Sequence, residues 1–160
     1  MSELLALCAD LPVEAVPPGQ TLIVEGDAPG PMYVLRTGSV SVERDGVPVA
    51  RIHASGAVLG EMSVVLERPA TATVRAEQEV TVHVVEDPHD FLSANPGAAL
   101  AVLRTTAARL DGMTQYLVDV KQQYAGLGGH LAMVDQILDA LVHHQPSTAR
   151  TGSVRDPEVG

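Results

Sequence analysis

Short apolar runs separated by glycine turns fill the middle of the chain, and a helical period takes over after Asp87. Leu22-Ile23-Val24 ends at Gly26-Asp27, and Tyr33-Val34-Leu35 ends at Thr37-Gly38. Val40 and Val42 alternate with Ser41 and Glu43, the period of two that marks a half-buried strand. Asp45-Gly46 predicts a hairpin turn, because both residues tolerate positive φ. Val47, Val49 and Ile52 follow, before Ser55-Gly56. Thr71 to Arg75 and Val80 to Val85 read as two further strands. Evenly spaced short strands from Thr21 to Glu86 predict an antiparallel sandwich or a jelly roll, the latter a double-stranded β-helix.

Helices are expected on both sides of this β region. Ser2 is placed to cap a short helix through Leu4, Leu5 and Leu7 that stops before Pro12, and Pro17-Pro18-Gly19 then breaks the chain. Asp87-Pro88 supplies an N-cap and a first-turn proline, and Asn95-Pro96 does so again. The second of these helices is expected from about Gly97 to Tyr124, closed by Gly126, Gly128 and Gly129. Along it, Leu103, Leu110, Leu117 and Tyr124 fall one heptad apart, with Thr106, Met113 and Val120 on the second seam. That repeat predicts a coiled-coil strip and a homodimer; the alternative is an ordinary amphipathic helix. Leu131, Val134, Ile137, Leu138 and Leu141 outline one face of an extra helix, and the polar tail after Gln145 is expected to be disordered. The expected organisation is a domain at 1–125, an extra helix at 126–144 and a tail at 145–160.

Composition narrows the function. The net charge is −10, and Lys121 is the sole lysine. Such a surface repels phosphate backbones and anionic membranes, and no basic stripe or helix-turn-helix pattern stands out, so direct nucleic-acid or membrane binding is not expected. Cys8 is alone, which excludes an internal disulfide framework and reads as a small core hydrophobe. The N-terminal stretch carries Glu3 and no basic residue ahead of its leucines, and no apolar run reaches membrane-spanning length, so cytoplasm is the expected location.

Catalytic constellations are missing from the pattern. There is no nucleophile elbow, Walker loop or dinucleotide fingerprint, and Gly38, Gly46 and Gly56 are spaced as turns. His53, His83 and His89 raise a metal-dependent cupin as a distant alternative, but they are isolated, without an H-x-H pair. His83 is expected on a strand face, His89 in a helix first turn, and His143-His144 near a helix C-terminal dipole. The expectation is a non-enzymatic protein without a metal or other cofactor.

The stretch Gly60 to Val74, G-E-M-S-V-V-L-E-R-P-A-T-A-T-V, resembles the phosphate-binding cassette of the cyclic-nucleotide-binding domain, the sensor module of catabolite-activator-type regulators. By order of elements the resemblance covers roughly residues 12–125. It implies a ligand such as cAMP or cGMP. Gly60 matches the cassette glycine, and Glu61 the glutamate that takes the ribose 2′-hydroxyl. Met62 and Ser63, with Val64 and Val65, match the short helix, and Thr71 to Val74 match the cassette's end. The family's phosphate-binding arginine falls at Ala70, which carries no charge. A hydrogen bond to a charged group is worth about 1.5–3 kcal/mol, and stripping a buried ion of its partner about 3–5, so the loss is roughly tenfold to several thousandfold in affinity. Arg68, two residues earlier, is the candidate replacement; the alternative is an exposed Arg68 that meets Glu67 or solvent. Arg75 is expected to point outward by strand alternation.

The same resemblance implies that the long helix forms the dimer axis and that Thr105, Thr106 or Thr114 covers the base. The extra helix stands where a DNA-binding domain would begin, and is expected either to fold over the pocket or to extend the dimer. The expected function is a cyclic-nucleotide sensor passing its signal to an unknown protein partner. The alternative is a scaffold that keeps the fold and has lost the ligand.

Overall fold

In the computed structural model, which describes residues 2–125 and 130–143, the apolar runs form eight strands among the described residues. They are β1 (Val13–Val16), β2 (Thr21–Ile23), β3 (Met32–Thr37), β4 (Val40–Arg44), β5 (Val47–Ile52), β6 (Val58–Leu59), β7 (Thr73–Ala76) and β8 (Val80–Val85). Two four-stranded antiparallel sheets result, ordered β1-β8-β3-β6 and β2-β7-β4-β5. The helices are α1 (Glu3–Leu7), α2 (Glu61–Leu66), α3 (Pro88–Ala94), α4 (Pro96–Gln123) and α5 (His130–His143). The jelly roll with flanking helices and one long helix is the observed fold. The chain divides into two compact units, Met1–Thr106 and Ala107–Gly160.

Strand alternation explains the core of the first unit. β3 and β8 pair Tyr33 with Val84 and Leu35 with Val82, so these four share one face. That face packs with Val40, Val74 and Ala76 of the second sheet. Met32, Val34 and Val85 take the other face, where they meet Leu4, Cys8, Ala98 and Val102 from the helical side. Strand β6 is divided in the same way, Leu59 inward and Val58 toward the helices. Burying each such valine or leucine contributes about 1.5–3 kcal/mol. His83 fills its strand face as expected, with Nδ1 3.3 Å from the Leu11 carbonyl oxygen. Cys8 is fully buried, and desolvation raises its thiol pKa, which suits a small core hydrophobe.

Several local expectations change. β1 and β6 were not foreseen: in β1 only Val16 is buried, and β6 has two residues. Asp45 and Gly46 do form the hairpin turn, at φ 52° and 74°. Ser2 and Asp87 occupy N-cap positions, but neither side chain makes a capping bond. The Asn95 amide, expected to cap α4, donates to the Phe91 carbonyl at 2.8 Å. Asn95 sits where α3 ends, and its backbone N–H donates to the same Phe91 carbonyl at 3.0 Å, so both groups close α3 on one acceptor.

In the second unit, Val134, Leu138 and Leu141 are half-buried, whereas Ile137 is exposed, so the apolar face is narrower than expected. Lys121 and Asp135 form an ion pair between α4 and α5. The glycine stops at Gly126, Gly128 and Gly129, His144, and the tail expected after Gln145 lie outside the described residues.

One turn tests the packing of the roll. Gly38 has φ +93°, and a Cβ there would lie 2.5 Å from the Glu79 carbonyl oxygen. Gly46 has φ +74°, but a Cβ there meets nothing within 4 Å. Gly46→Ala is expected to cost about 1–2 kcal/mol, the left-handed penalty alone. Gly38→Ala should cost about 1–3 kcal/mol more, from the added overpacking. Urea unfolding measures both; equal losses would show that the Glu79 contact relaxes freely.

Candidate functional site

Gly60 turns the chain from β6 into α2 at φ 91°. A Cβ at this point would lie 3.1 Å from Ile23 Cδ1 and 3.3 Å from the Pro31 carbonyl oxygen, so the turn demands glycine twice over. Glu61 and Ser63 follow and are buried, at 5% and 6% exposure. Met62, Val65 and Leu66 face outward. The Ser63 hydroxyl donates to the Gly60 carbonyl at 3.0 Å, tightening the turn. An acid in a helix first turn is favoured by the dipole alone. Glu61 is buried as well, which places its carboxylate inside the cassette.

The far end of α2 closes at Glu67, at φ 52°, where the Arg68 N–H donates to the Ser63 carbonyl at 3.1 Å. The Arg68 side chain is exposed and makes no ion pair among the described residues. Arg75 is exposed as well, as alternation requires. Ala70 is buried, and both of its backbone groups are engaged. Its N–H donates to the Asp27 carbonyl and its carbonyl accepts the Gly26 N–H, each at 2.8 Å.

Thr71 and Ala72 are half-buried and lead into β7. There the Thr73 hydroxyl oxygen accepts the Glu25 N–H at 3.0 Å. Glu25 Oε2 in turn accepts the Asp45 N–H of the β4–β5 turn at 2.9 Å. Glu25, Gly26 and Asp27 therefore hold the cassette in place. In the sequence, Gly26-Asp27 marked only the end of a strand, and nothing there pointed to Glu25.

The threonines on α4 are engaged with their own helix. Thr105 donates to the Ala101 carbonyl and Thr106 to that of Val102, each at 3.0 Å, and Thr114 donates to Leu110 at 2.8 Å. Each hydroxyl keeps only acceptor capacity for another group. Tyr33 pairs with Leu59 just ahead of Gly60. Burial raises its phenol pKa, and the charges of Glu14 and Glu86 add to the rise.

His53 and His89 are exposed, and among the described residues no three His, Cys, Asp or Glu gather as metal ligands. A cavity of about 480 Å³ is lined by Val64 and Glu67 of the cassette together with Pro31, Glu86, Asp87 and His89. None of its lining residues is a lysine or arginine.

Residues 13–93 match the family model for the cyclic nucleotide-binding domain. A cGMP-dependent protein kinase from Toxoplasma gondii is 35% identical over 68 residues, 42% of this chain and 7% of that protein. The chain thus corresponds to a small part of that relative's length. Among solved structures, the N-terminal domain of a transcriptional regulator from Streptomyces coelicolor is similar at 30% identity and a TM-score of 0.51, over 69% of this chain and 81% of that one. A cAMP-binding acyltransferase from Mycobacterium smegmatis is similar at 30% identity and a TM-score of 0.55, over 68% and 36%. The regulatory subunit of a cAMP-independent protein kinase A from Trypanosoma brucei is similar at 25% identity and a TM-score of 0.54, over 61% and 35%.

The Glu25 link is open to a direct measurement. Thr73→Val keeps the side-chain shape but removes the acceptor of the Glu25 N–H. The expected loss is about 1–3 kcal/mol of folding stability, the cost of stranding a partly buried donor. Unchanged urea unfolding would mean that solvent replaces the hydroxyl.

Proposed function

Because the chain belongs to the cyclic nucleotide-binding domain family, we propose that it is a non-enzymatic regulatory sensor whose ligand enters at the Gly60–Val74 cassette. The observation that carries this reading is the buried carboxylate of Glu61, next to a turn that only glycine can make. In this reading Glu61 accepts a ribose hydroxyl, Ser63 and Thr71 line the cassette, and Thr106 stands toward the base. A charged ligand such as cAMP or cGMP depends on Arg68, since Ala70 offers no cation.

The signal travels through β6. Ligand contacts at Gly60 and Glu61 bear on Leu59 and Val58, and Val58 shares a core with Ala98 and Val102 of α4. A ligand shifts α4 between two arrangements only as far as it binds one of them better. The receiver of the signal is a second copy of the chain and, beyond it, another protein. The dimer seam is the α4 heptad. Leu103 is 62% exposed and Met113 62%, which is costly for apolar side chains that have no partner. Among the described residues, no helix is long and apolar enough to cross a membrane; we place the domain in the cytoplasm.

A second reading is favoured by Ala70 itself: the protein keeps the roll as an interaction scaffold and has lost the nucleotide. The Trypanosoma relative, described as cAMP-independent, shows that a regulatory subunit of this fold need not answer to cAMP.

Two measurements bear on these readings. Calorimetry with cAMP and cGMP is expected to detect binding, and Arg68→Ala should weaken it at least about tenfold, the value of one charged hydrogen bond. Unchanged affinity would remove Arg68 from the site, and no heat with either nucleotide at millimolar concentration would remove both as ligands. Sedimentation over a dilution series is expected to show a dimer that Leu110→Glu converts to a monomer. A monomer at every concentration would refute the heptad seam.

A further inference from the structure

Resting on the α4 dimer proposed above, we infer that α5 belongs to the same interface, so that two copies of the chain meet as a four-helix bundle and not as a two-stranded coiled coil. The second unit has no core of its own: after Val102, none of the described residues is buried. A pair of helices alone buries too little apolar surface to be stable in water. α5 turns back beside α4, since the Lys121 ammonium meets the Asp135 carboxylate.

The direction of each side chain follows from helix geometry, in which successive residues turn by about 100°. On α5 the half-buried Val134, Leu138 and Leu141 form one strip. Met133, Ile137 and Ala140 are exposed and stand about 60–120° to one side of Val134. On α4, Thr114 and Val118 share the strip that ends at Lys121. Met113, Val120 and Tyr124 of the heptad stand about 80–120° from Thr114, offset in the same rotational sense. In antiparallel helices, like offsets counted from the facing strips fall on the same side of the pair. Both apolar stripes therefore open on one side of the hairpin. Asp111 and Asp119 of α4, with Asp135 and Asp139 of α5, are offset in the other sense and take the opposite side.

That division decides what covers the apolar side. A net charge of −10 makes two copies repel, except where they meet through a face without acids. The side that carries Met113 and Ile137 is such a face, and in a two-fold pair it meets its own copy. The apolar arc of α5, from Ala140 to Val142, spans roughly 200°, about twice what packing on one neighbour needs. A seam made by α4 alone would leave Met133 at 64% and Ile137 at 41% exposure; the bundle covers them.

The test is sedimentation of the full chain over a dilution series. Ile137→Glu is expected to weaken the dimer at least about a hundredfold, because the bundle buries the new charge unpaired on each copy. Ala132→Glu, the same charge on the aspartate side, should leave the dimer within about twofold. Equal weakening by both variants, a general effect of charge, overturns the inference. An unchanged dimer in Ile137→Glu, with Leu110→Glu monomeric, overturns the bundle and leaves the α4 seam standing. A monomeric wild type at every concentration overturns both. If circular dichroism shows that Ile137→Glu loses helix, amide exchange of the wild type decides instead. Protection of residues 132–142 that is lost on dilution supports the bundle; protection independent of concentration, or none, overturns it.

Discussion

The sheet β1-β8-β3-β6 is apolar on both faces, and the rest of the first unit is arranged around that requirement. Such a sheet needs a cover on each side. The second sheet covers one face; α1, α3 and the start of α4 cover the other. Were β3 to slip by one residue, Met32 and Val34 would exchange places with Tyr33 and Leu35, and both cores would be lost together. The register is therefore set twice, once from each side.

The same constraint ties the cassette to the helices. β6 has two residues, one in each core, and Gly60 follows at once. Any displacement of the cassette turn reaches Leu59 and Val58 with no flexible linker between. Close-packed cores do not absorb such shifts smoothly. Moving a two-state element from 1:99 to 99:1 takes about 5.5 kcal/mol of differential binding. In the proposed sensor, a contact at Glu61 alone would be a weak driver of such a change, so other parts of the ligand would have to contribute as well.

The middle strands were legible in the sequence because β4 and β8 carry valine-rich runs and β3 is an apolar run stopped at Gly38. β1 was illegible because V-E-A-V exposes three of its four residues and takes its strand form from pairing with β8. β6 is too short for any period to register. The cassette's boundaries and its buried pair, Glu61 and Ser63, followed from the motif, but the groups that anchor it did not. Glu25 reaches Thr73 across 48 residues and Asp45 across 20, distances over which local patterning is silent. Asn95 shows the opposite failure: its residue type marked a helix boundary correctly, while the side chain served the helix on the other side.

Ala70 separates the stability of the fold from its ligand. The loop at this position is held by two backbone hydrogen bonds, to Gly26 and Asp27, which do not involve the side chain. An arginine here would be partly stripped of water, a cost of several kcal/mol that only a bound anion or a carboxylate would offset. Alanine avoids that cost and leaves both hydrogen bonds in place. The roll is thus at least as stable without its cation as with it, and agreement in fold carries no information about the phosphate. What bears on the ligand is the set of side chains in the cassette, where an uncharged alanine stands at position 70 and the carboxylate of Glu61 is buried on α2.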